Sequence, residues 1–289
     1  MKITQFRTYF IEQVAPFFDE EEAASFFYLI IENQRNLKRV DLVMQPDLFF
    51  SESELIQLES IIFELKRQKP IQYILGTTEF YGMFFQVNEH TLIPRPETEE
   101  LVEWVVMSQK LEEGRRKLEN KFIKILDIGT GSGCIAISLA KNLHQAQVSA
   151  IDVSIKPLAT AKKNAAFNGV EVQFMHQNIL ETDSFSESYD VIISNPPYVR
   201  MLEKQEIKPN VLEFEPHLAL FVENEDALLF YRKIGQLAQN HLTKDGYLFF
   251  EINQYLAKET VELLESLHFK SIELRKDIYG NNRMIRCQK

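Results

Sequence analysis

Apolar residues recur three and four positions apart from the start of the chain, in Phe6, Tyr9 and Phe10 and again in Phe26, Phe27, Ile30 and Ile31. That is the spacing of a helix face, and no strand-like alternation competes with it between Lys2 and about Lys69. Ser51 and Glu54 have the spacing of a capping box ahead of Leu55, Leu58, Ile61, Ile62 and Leu65, which predicts a helix starting there. Pro70 and Gly76 punctuate the exit. Residues 78–93 are aromatic and β-branched around a Tyr81-Gly82 turn signal and read as a β-hairpin linker. Ile93-Pro94-Arg95-Pro96 stops that strand, and the acidic run Glu97 to Glu103 suits the positive end of a helix that turns Leu101, Val102 and Val105 inward.

Beyond a polar stretch at 109–121, strand-like and helix-like patterns alternate to the end, the sign of a mainly parallel sheet with helices on both faces. Strands are expected at 123–128, 147–152, 170–176, 189–194, 246–252, 268–276 and 283–287. Tyr279 to Asn282 is too short for a crossover helix, so the last two strands should form an antiparallel hairpin. The fold class is therefore α/β, with a helical domain at 1–76, a hairpin linker at 77–93 and a seven-stranded domain at 94–289.

Composition narrows the partners. The 289 residues are 45% hydrophobic and 26% charged, ordinary globular usage. Acidic residues outnumber basic ones 42 to 32, a net charge of −10 that repels a phosphate backbone, and residues 1–70 alone carry 12 acidic against 8 basic side chains. No direct nucleic-acid substrate is expected. Cys134 and Cys287 are too few for a disulfide framework or a thiolate metal site, which suits a reducing compartment. The acidic start is unlike a signal peptide, and no segment offers about 18 consecutive apolar residues, so a soluble cytoplasmic protein without a membrane partner is expected. His176, His217 and His241 have no partner at metal-ligand spacing, and no metal is expected.

Ile125-Leu-Asp-Ile-Gly-Thr-Gly-Ser-Gly-Cys134 runs from a buried strand into a helix. Its residues Gly129, Thr130, Gly131, Ser132 and Gly133 form a loop whose backbone can approach a ligand closely. Asp152 ends the next strand, where its carboxylate can accept from ribose hydroxyls. The third glycine comes one residue earlier than in a dinucleotide fingerprint, and Asp127 is better placed beside a cationic methionine moiety than beside a pyrophosphate. Both favour S-adenosylmethionine. Asn178, with Ile179 after it, lies past the third strand, where an adenine edge would sit; an ordinary loop asparagine explains it as well.

The strand 189–194 ends in Asn195-Pro196-Pro197-Tyr198 at the carboxyl edge of the sheet. The prolines remove backbone donors and leave carbonyls free to accept from an outside NH2 group. With the Asn195 side-chain oxygen and the Pro196 carbonyl each taking one N–H, a planar nitrogen is fixed for methyl transfer, and Tyr198 can cover it by stacking.

Together these residues resemble the glutamine methyltransferases of peptide chain release factors, the PrmC/HemK family. The resemblance extends through Pro70-Ile-Gln-Tyr-Ile-Leu-Gly76, Leu92-Ile-Pro-Arg-Pro-Glu-Thr98 and Glu215-Pro216-His217-Leu218-Ala219-Leu220 and so covers nearly the whole chain. It implies a Rossmann-like S-adenosylmethionine-dependent methyltransferase domain, with S-adenosylhomocysteine as product, and a helical domain that helps dock the release factor. The substrate it implies is the glutamine of a Gly-Gly-Gln loop, held at Asn195, Pro196, Pro197 and Tyr198, with Gly129 to Gly133, Asp152, Asn178, Ile179 and Asn195 toward the cofactor. Arg95, Pro96 and Glu97 would line the pocket mouth and Glu215-Pro216 shape the substrate side. Asn178 stands where the family has an aspartate. Glu251-Ile-Asn-Gln254 departs from a glutamate-x-glycine pattern in a segment expected to lie away from the chemistry. The alternative is an amino-methyltransferase acting on a nucleobase in RNA or DNA, which shares the Asn-Pro-Pro-Tyr segment.

Overall fold

Long runs of apolar residues at strand positions bury both faces of the central sheet, and alternate side chains feed two separate cores. A computed structural model describes residues 1–119 and 122–289. It divides into two units, residues 1–77 with 208–214 and residues 78–207 with 215–289.

The first unit is helical: α1 (Ile3–Val14), α2 (Glu20–Arg35), α3 (Arg39–Met44), α4 (Glu52–Lys66) and α5 (Ile71–Leu75). Phe6 and Phe10 of α1 and Phe27, Ile30 and Ile31 of α2 share one core with Leu58 and Ile62 of α4. The capping box at the start of α4 is present: Glu54 N–H donates to Ser51 Oγ at 3.3 Å and Ser51 N–H to Glu54 Oε2 at 2.7 Å. Those Ser51 bonds, with the Arg35 guanidinium beside them, hold the Glu54 carboxyl down to about 2.

The second unit opens with a hairpin, β1 (Thr77–Phe80) and β2 (Met83–Gln86), of which Thr77 clusters with the helices. Its two-residue turn puts Tyr81 and Gly82 both at positive φ, 50° and 70°, the geometry that matches strand twist. Then follow α6 (Pro96–Glu119), β3 (Ile123–Ile128), α7 (Cys134–Asn142), β4 (Ala146–Asp152), α8 (Ile155–Asn168), β5 (Gln173–His176), β6 (Tyr189–Ser194) and β7 (Val199–Arg200). The chain passes through α9 (Pro209–Phe214), which clusters with the first unit. It then continues in α10 (His217–Leu220), β8 (Phe221–Val222), α11 (Leu229–His241), β9 (Leu242–Glu251), α12 (Ala257–Ser266), β10 (Lys270–Lys276) and β11 (Asn282–Gln288).

Seven strands form the main sheet in the order β10-β11-β9-β6-β3-β4-β5, with β11 antiparallel to both its neighbours and the rest parallel. Ile125, Val148, Val191 and Phe249 point to the layer that holds Leu101 and Val105 of α6 with Ile135 and Ile137 of α7. Leu126, Ile151, Ile192 and Leu248, an odd number of residues away on the same strands, point to the layer of α11 and α12. The strand order reverses between β3 and β6, so their carboxyl ends flank the crevice where open α/β sheets bind ligands.

Several boundaries differ from the sequence pattern: β2 ends at Gln86, well before the Ile93-Pro94 stop, and β10 begins at Lys270 rather than 268. Helix α6 runs on through the polar stretch to Glu119, because Leu, Glu, Lys and Arg are strong helix formers even without an apolar stripe; residues 120 and 121 of that stretch lie outside the described residues. Strand β9 begins at Leu242 rather than 246, with a register shift against β6 between Tyr189 and Val191. Strand β5 starts at Gln173, after Gly169 has ended α8 in the left-handed conformation.

Candidate active site

The glycine loop leaves β3 at the switch point and is anchored to β4: the N–H groups of Gly129 and Thr130 donate to the Ile151 carbonyl at 2.9 and 3.0 Å. Gly131 N–H donates to Asp152 Oδ2 at 2.9 Å, and Ser154 N–H to Asp152 Oδ1 at 2.8 Å. The Asp152 carboxylate is thus oriented by backbone donors, each oxygen retaining a lone pair for a further donor such as a ribose hydroxyl. Burial pushes its carboxyl up, against the pull of those two N–H groups.

Gly133, at φ 83°, has no room for a side chain: a Cβ there would meet Ile137 Cδ1 at 2.9 Å and Ala161 Cβ at 3.0 Å. Gly129 and Gly131 are the reverse case, facing open space with no heavy atom within 4 Å of an added Cβ. Asp127 is fully buried; its Oδ2 accepts from Thr130 Oγ1 at 2.6 Å, whereas Oδ1 makes no side-chain hydrogen bond. Burial pushes this carboxyl up to about 7, with the Thr130 hydroxyl and the Ala136 N–H pulling the other way and Asp152 adding to the rise. An open backbone cradle beside a buried carboxylate with a spare acceptor fits a nucleoside cofactor that carries a cationic amino-acid group.

Behind the loop, Asn164 of α8 is completely buried and donates to the carbonyls of Ser132 at 2.9 Å and Gln86 at 3.0 Å, while its oxygen accepts from Gln86 N–H at 2.7 Å. One side chain therefore ties the hairpin strand β2 to the cofactor loop. Nothing in the local sequence marks this asparagine as special.

At the end of β6, Ser194 Oγ donates to the Ile128 carbonyl at 2.7 Å, holding the Asn-Pro-Pro-Tyr segment against the root of the glycine loop. Asn195 Nδ2 donates to Thr98 Oγ1 at 3.2 Å, and Thr98 Oγ1 donates to Glu251 Oε2 at 2.6 Å. The other carboxylate oxygen, Glu251 Oε1, accepts from the Tyr198 hydroxyl at 2.9 Å. Asn253 Nδ2 donates to the Tyr198 carbonyl at 2.9 Å and to Glu203 Oε2 at 2.8 Å. Among the described residues, Asn195 Oδ1 and the Pro196 carbonyl accept no hydrogen bond.

Glu251 and Asn253 overturn one expectation. The segment Glu251 to Gln254 was expected away from the chemistry, yet the parallel register of β6 and β9 ends with Ser194 opposite Phe250 and brings Glu251 to the Asn-Pro-Pro-Tyr turn. Asn178 caps the short turn Ile179–Glu181. Its side-chain oxygen accepts from Leu180 N–H at 3.1 Å, so the cap competes with any adenine edge for that oxygen and leaves the amide nitrogen as the freer group. Ile179 is buried in the core on the α11 side of the sheet.

Arg95 and Glu215 lie 120 positions apart in sequence and meet in an ion pair at 2.6 Å, with Ile93 N–H donating to the second Glu215 oxygen at 3.2 Å. Thr98 N–H donates to the Arg95 carbonyl, so this pair sits one turn of chain from the partner of Asn195. Pro96 is exposed at the start of α6, and burial pushes the Glu251 carboxyl up, with the nearby Glu97 charge adding to the rise. Among the described residues no cluster of His, Cys, Asp or Glu could hold a metal ion, and no helix is long and apolar enough to cross a membrane.

A family model described as PrmC N-terminal domain matches residues 15–76, and one described as methyltransferase small domain matches residues 109–213. The chain is similar to the release factor glutamine methyltransferase of Flavobacterium psychrophilum, 60% identical over 286 residues and covering 99% of each chain. It is 41% identical to the release factor glutamine methyltransferase of Bacteroides thetaiotaomicron over 278 residues, 96% of each chain. Among solved structures the hMettl16 catalytic domain shares the fold, with a TM-score of 0.52 at 17% identity over 83% of this chain and 82% of that one.

Proposed function

The chain belongs to the family of release factor glutamine methyltransferases, and from that premise we propose that it methylates the side-chain amide nitrogen of the glutamine in a release factor's Gly-Gly-Gln motif. The observation that carries the reading is the pair of unengaged acceptors, Asn195 Oδ1 and the Pro196 carbonyl, at the switch point beside the glycine loop.

S-adenosylmethionine, when bound, would supply a sulfonium methyl group open to attack by a nitrogen lone pair, the N–C bond forming as the C–S bond breaks and S-adenosylhomocysteine departs as the neutral thioether. Gly129 and Gly131 would offer it open backbone, Asp152 would accept from its ribose hydroxyls and the buried Asp127 would face its amino-acid end. An amide nitrogen is a weak nucleophile because its lone pair is delocalised into its carbonyl. Asn195 Oδ1 and the Pro196 carbonyl each accept one N–H of the glutamine amide, which aims the nitrogen and stabilises positive charge as it develops there. Once methylated, the cationic nitrogen gives up one of these protons to water, and no strong base is needed because a protonated amide nitrogen is a strong acid. Pro197 stiffens the turn, and Tyr198, held by its hydroxyl, bounds the flat amide.

Residues 1–76 are assigned to engaging the release factor outside its glutamine loop, which the match to the PrmC N-terminal domain supports. The reaction is placed in the cytoplasm, where free buried thiols such as Cys134 and Cys287 persist. Incubation with labelled S-adenosylmethionine and either release factor or RNA separates this reading from base methylation: label is expected in the release factor, and label in RNA alone would contradict it.

A further inference from the structure

The carboxamide of asparagine is nearly symmetric in shape, so its oxygen and NH2 group exchange places at little steric cost, and only hydrogen bonding decides which end faces where. For Asn195 the choice is decisive. With Oδ1 toward the substrate it accepts from the glutamine NH2; turned over, it would aim its own NH2 donors at another pair of donors.

Thr98 settles the orientation only if its hydroxyl proton is already committed. Its Oγ1 lies 2.6 Å from Glu251 Oε2 and 3.2 Å from Asn195 Nδ2. An ionised carboxylate can only accept, so the Thr98 proton goes to Glu251 and the remaining lone pair of Oγ1 must receive a donor, which Nδ2 supplies. The same carboxylate takes the Tyr198 proton at 2.9 Å. Glu251 is 1% exposed, and no bulk water competes for these bonds. Burial pushes its carboxyl up and the Glu97 carboxylate adds to the rise, whereas the Thr98 and Tyr198 hydroxyls, one on each oxygen, and the Arg283 guanidinium favour the carboxylate form; its own backbone carbonyl accepts from the Tyr231 hydroxyl at 3.3 Å.

We propose that Glu251 is a positioning residue which, acting through Thr98, fixes the Asn195 carboxamide with its oxygen toward the substrate amide. The assignment rests on the reading of Asn195 as the substrate acceptor. In Glu251→Gln the side-chain NH2 can donate to Thr98, which then passes its own proton to Asn195 Oδ1 and permits the unproductive orientation.

The test uses the full chain with release factor and S-adenosylmethionine, measuring kcat, KM, cofactor affinity and thermal unfolding. Glu251→Gln and Thr98→Val are each expected to lower kcat by about ten- to hundredfold, with cofactor affinity close to wild type. Thr98→Ser keeps the hydroxyl and is expected to keep kcat within about threefold of wild type. Because both substitutions break one relay, the double variant should be no slower than the slower single one, whereas independent packing defects multiply. A folded Glu251→Gln enzyme with unchanged kcat, or effects that multiply, would overturn the proposal. If Glu251→Gln does not fold, equal rates for Thr98→Val and Thr98→Ser overturn it instead. Asn195→Ala separates the two levels: full activity there sinks the substrate assignment itself, while an inactive Asn195→Ala beside wild-type rates in Glu251→Gln and Thr98→Val sinks the relay alone.

Discussion

In the proposed reaction two side chains act in different ways, Asn195 by an oxygen left free and Asp127 by a carboxyl kept out of water. Asn195 donates a single bond, to Thr98, so its loss leaves the fold and the glycine loop untouched. Asn195→Ala is therefore expected to bind S-adenosylmethionine normally in a calorimetric titration while its kcat falls by about two orders of magnitude or more. Asp127 shows itself through pH. Its carboxyl is raised from the ordinary 3.8 to about 7 in the folded protein. Between those values the folded chain holds a proton that the unfolded chain has lost, so the stability this group contributes is full below 3.8 and disappears as pH rises through about 7. Asp127→Asn carries no such charge. Compared with it, the cofactor-free wild type is expected to lose on the order of 4 kcal/mol between about pH 4 and about pH 8. Urea melts at several pH values measure the difference, and parallel stability curves for the two proteins would contradict the assignment.

Among the elements, the strand-to-helix turn at the end of β3 separates structural from ligand-facing glycines. Gly133 is boxed in by Ile137 and Ala161, so Gly133→Ala is expected to destabilise the fold by about 2 kcal/mol or more. Gly131 faces open space but also has positive φ, 56°, so Gly131→Ala is expected to cost the fold only the backbone strain, less than Gly133→Ala, while it weakens cofactor binding more. Equal loss of stability in the two would remove the distinction. The glycine loop, Asp152 and Asn-Pro-Pro-Tyr were legible in the sequence because each follows a strand whose apolar run announces it. Thr98, Asn164 and Glu251 were not. Each is a polar residue in a pattern that reads as surface, and each finds its partner far away in the chain, Thr98 and Glu251 being 153 positions apart. Helix α3 and the pair β7 and β8 escaped notice for another reason: six or two residues are too few to show a period.

At the scale of the whole molecule, the pattern of alternating strands and helices was enough to give the seven-stranded sheet and its closing antiparallel hairpin, since every central strand is covered on both faces. The division into units was harder to read. Residues 208–214 cluster with the helical unit though they lie deep in the second half of the chain, and the hairpin expected as a linker is bonded to α8 through Asn164. No periodicity in a sequence reports which distant segment a short helix will join. The net charge of −10 and the unengaged acceptors of Asn195 and Pro196 support the proposed reaction on a flat amide of a protein. The most direct check is the mass of the Gly-Gly-Gln peptide released from release factor after incubation with the enzyme and S-adenosylmethionine. Replacement of one hydrogen by one methyl group on the glutamine side chain is the expected result; an unmodified glutamine, with the methyl group recovered elsewhere or not transferred at all, would contradict the account.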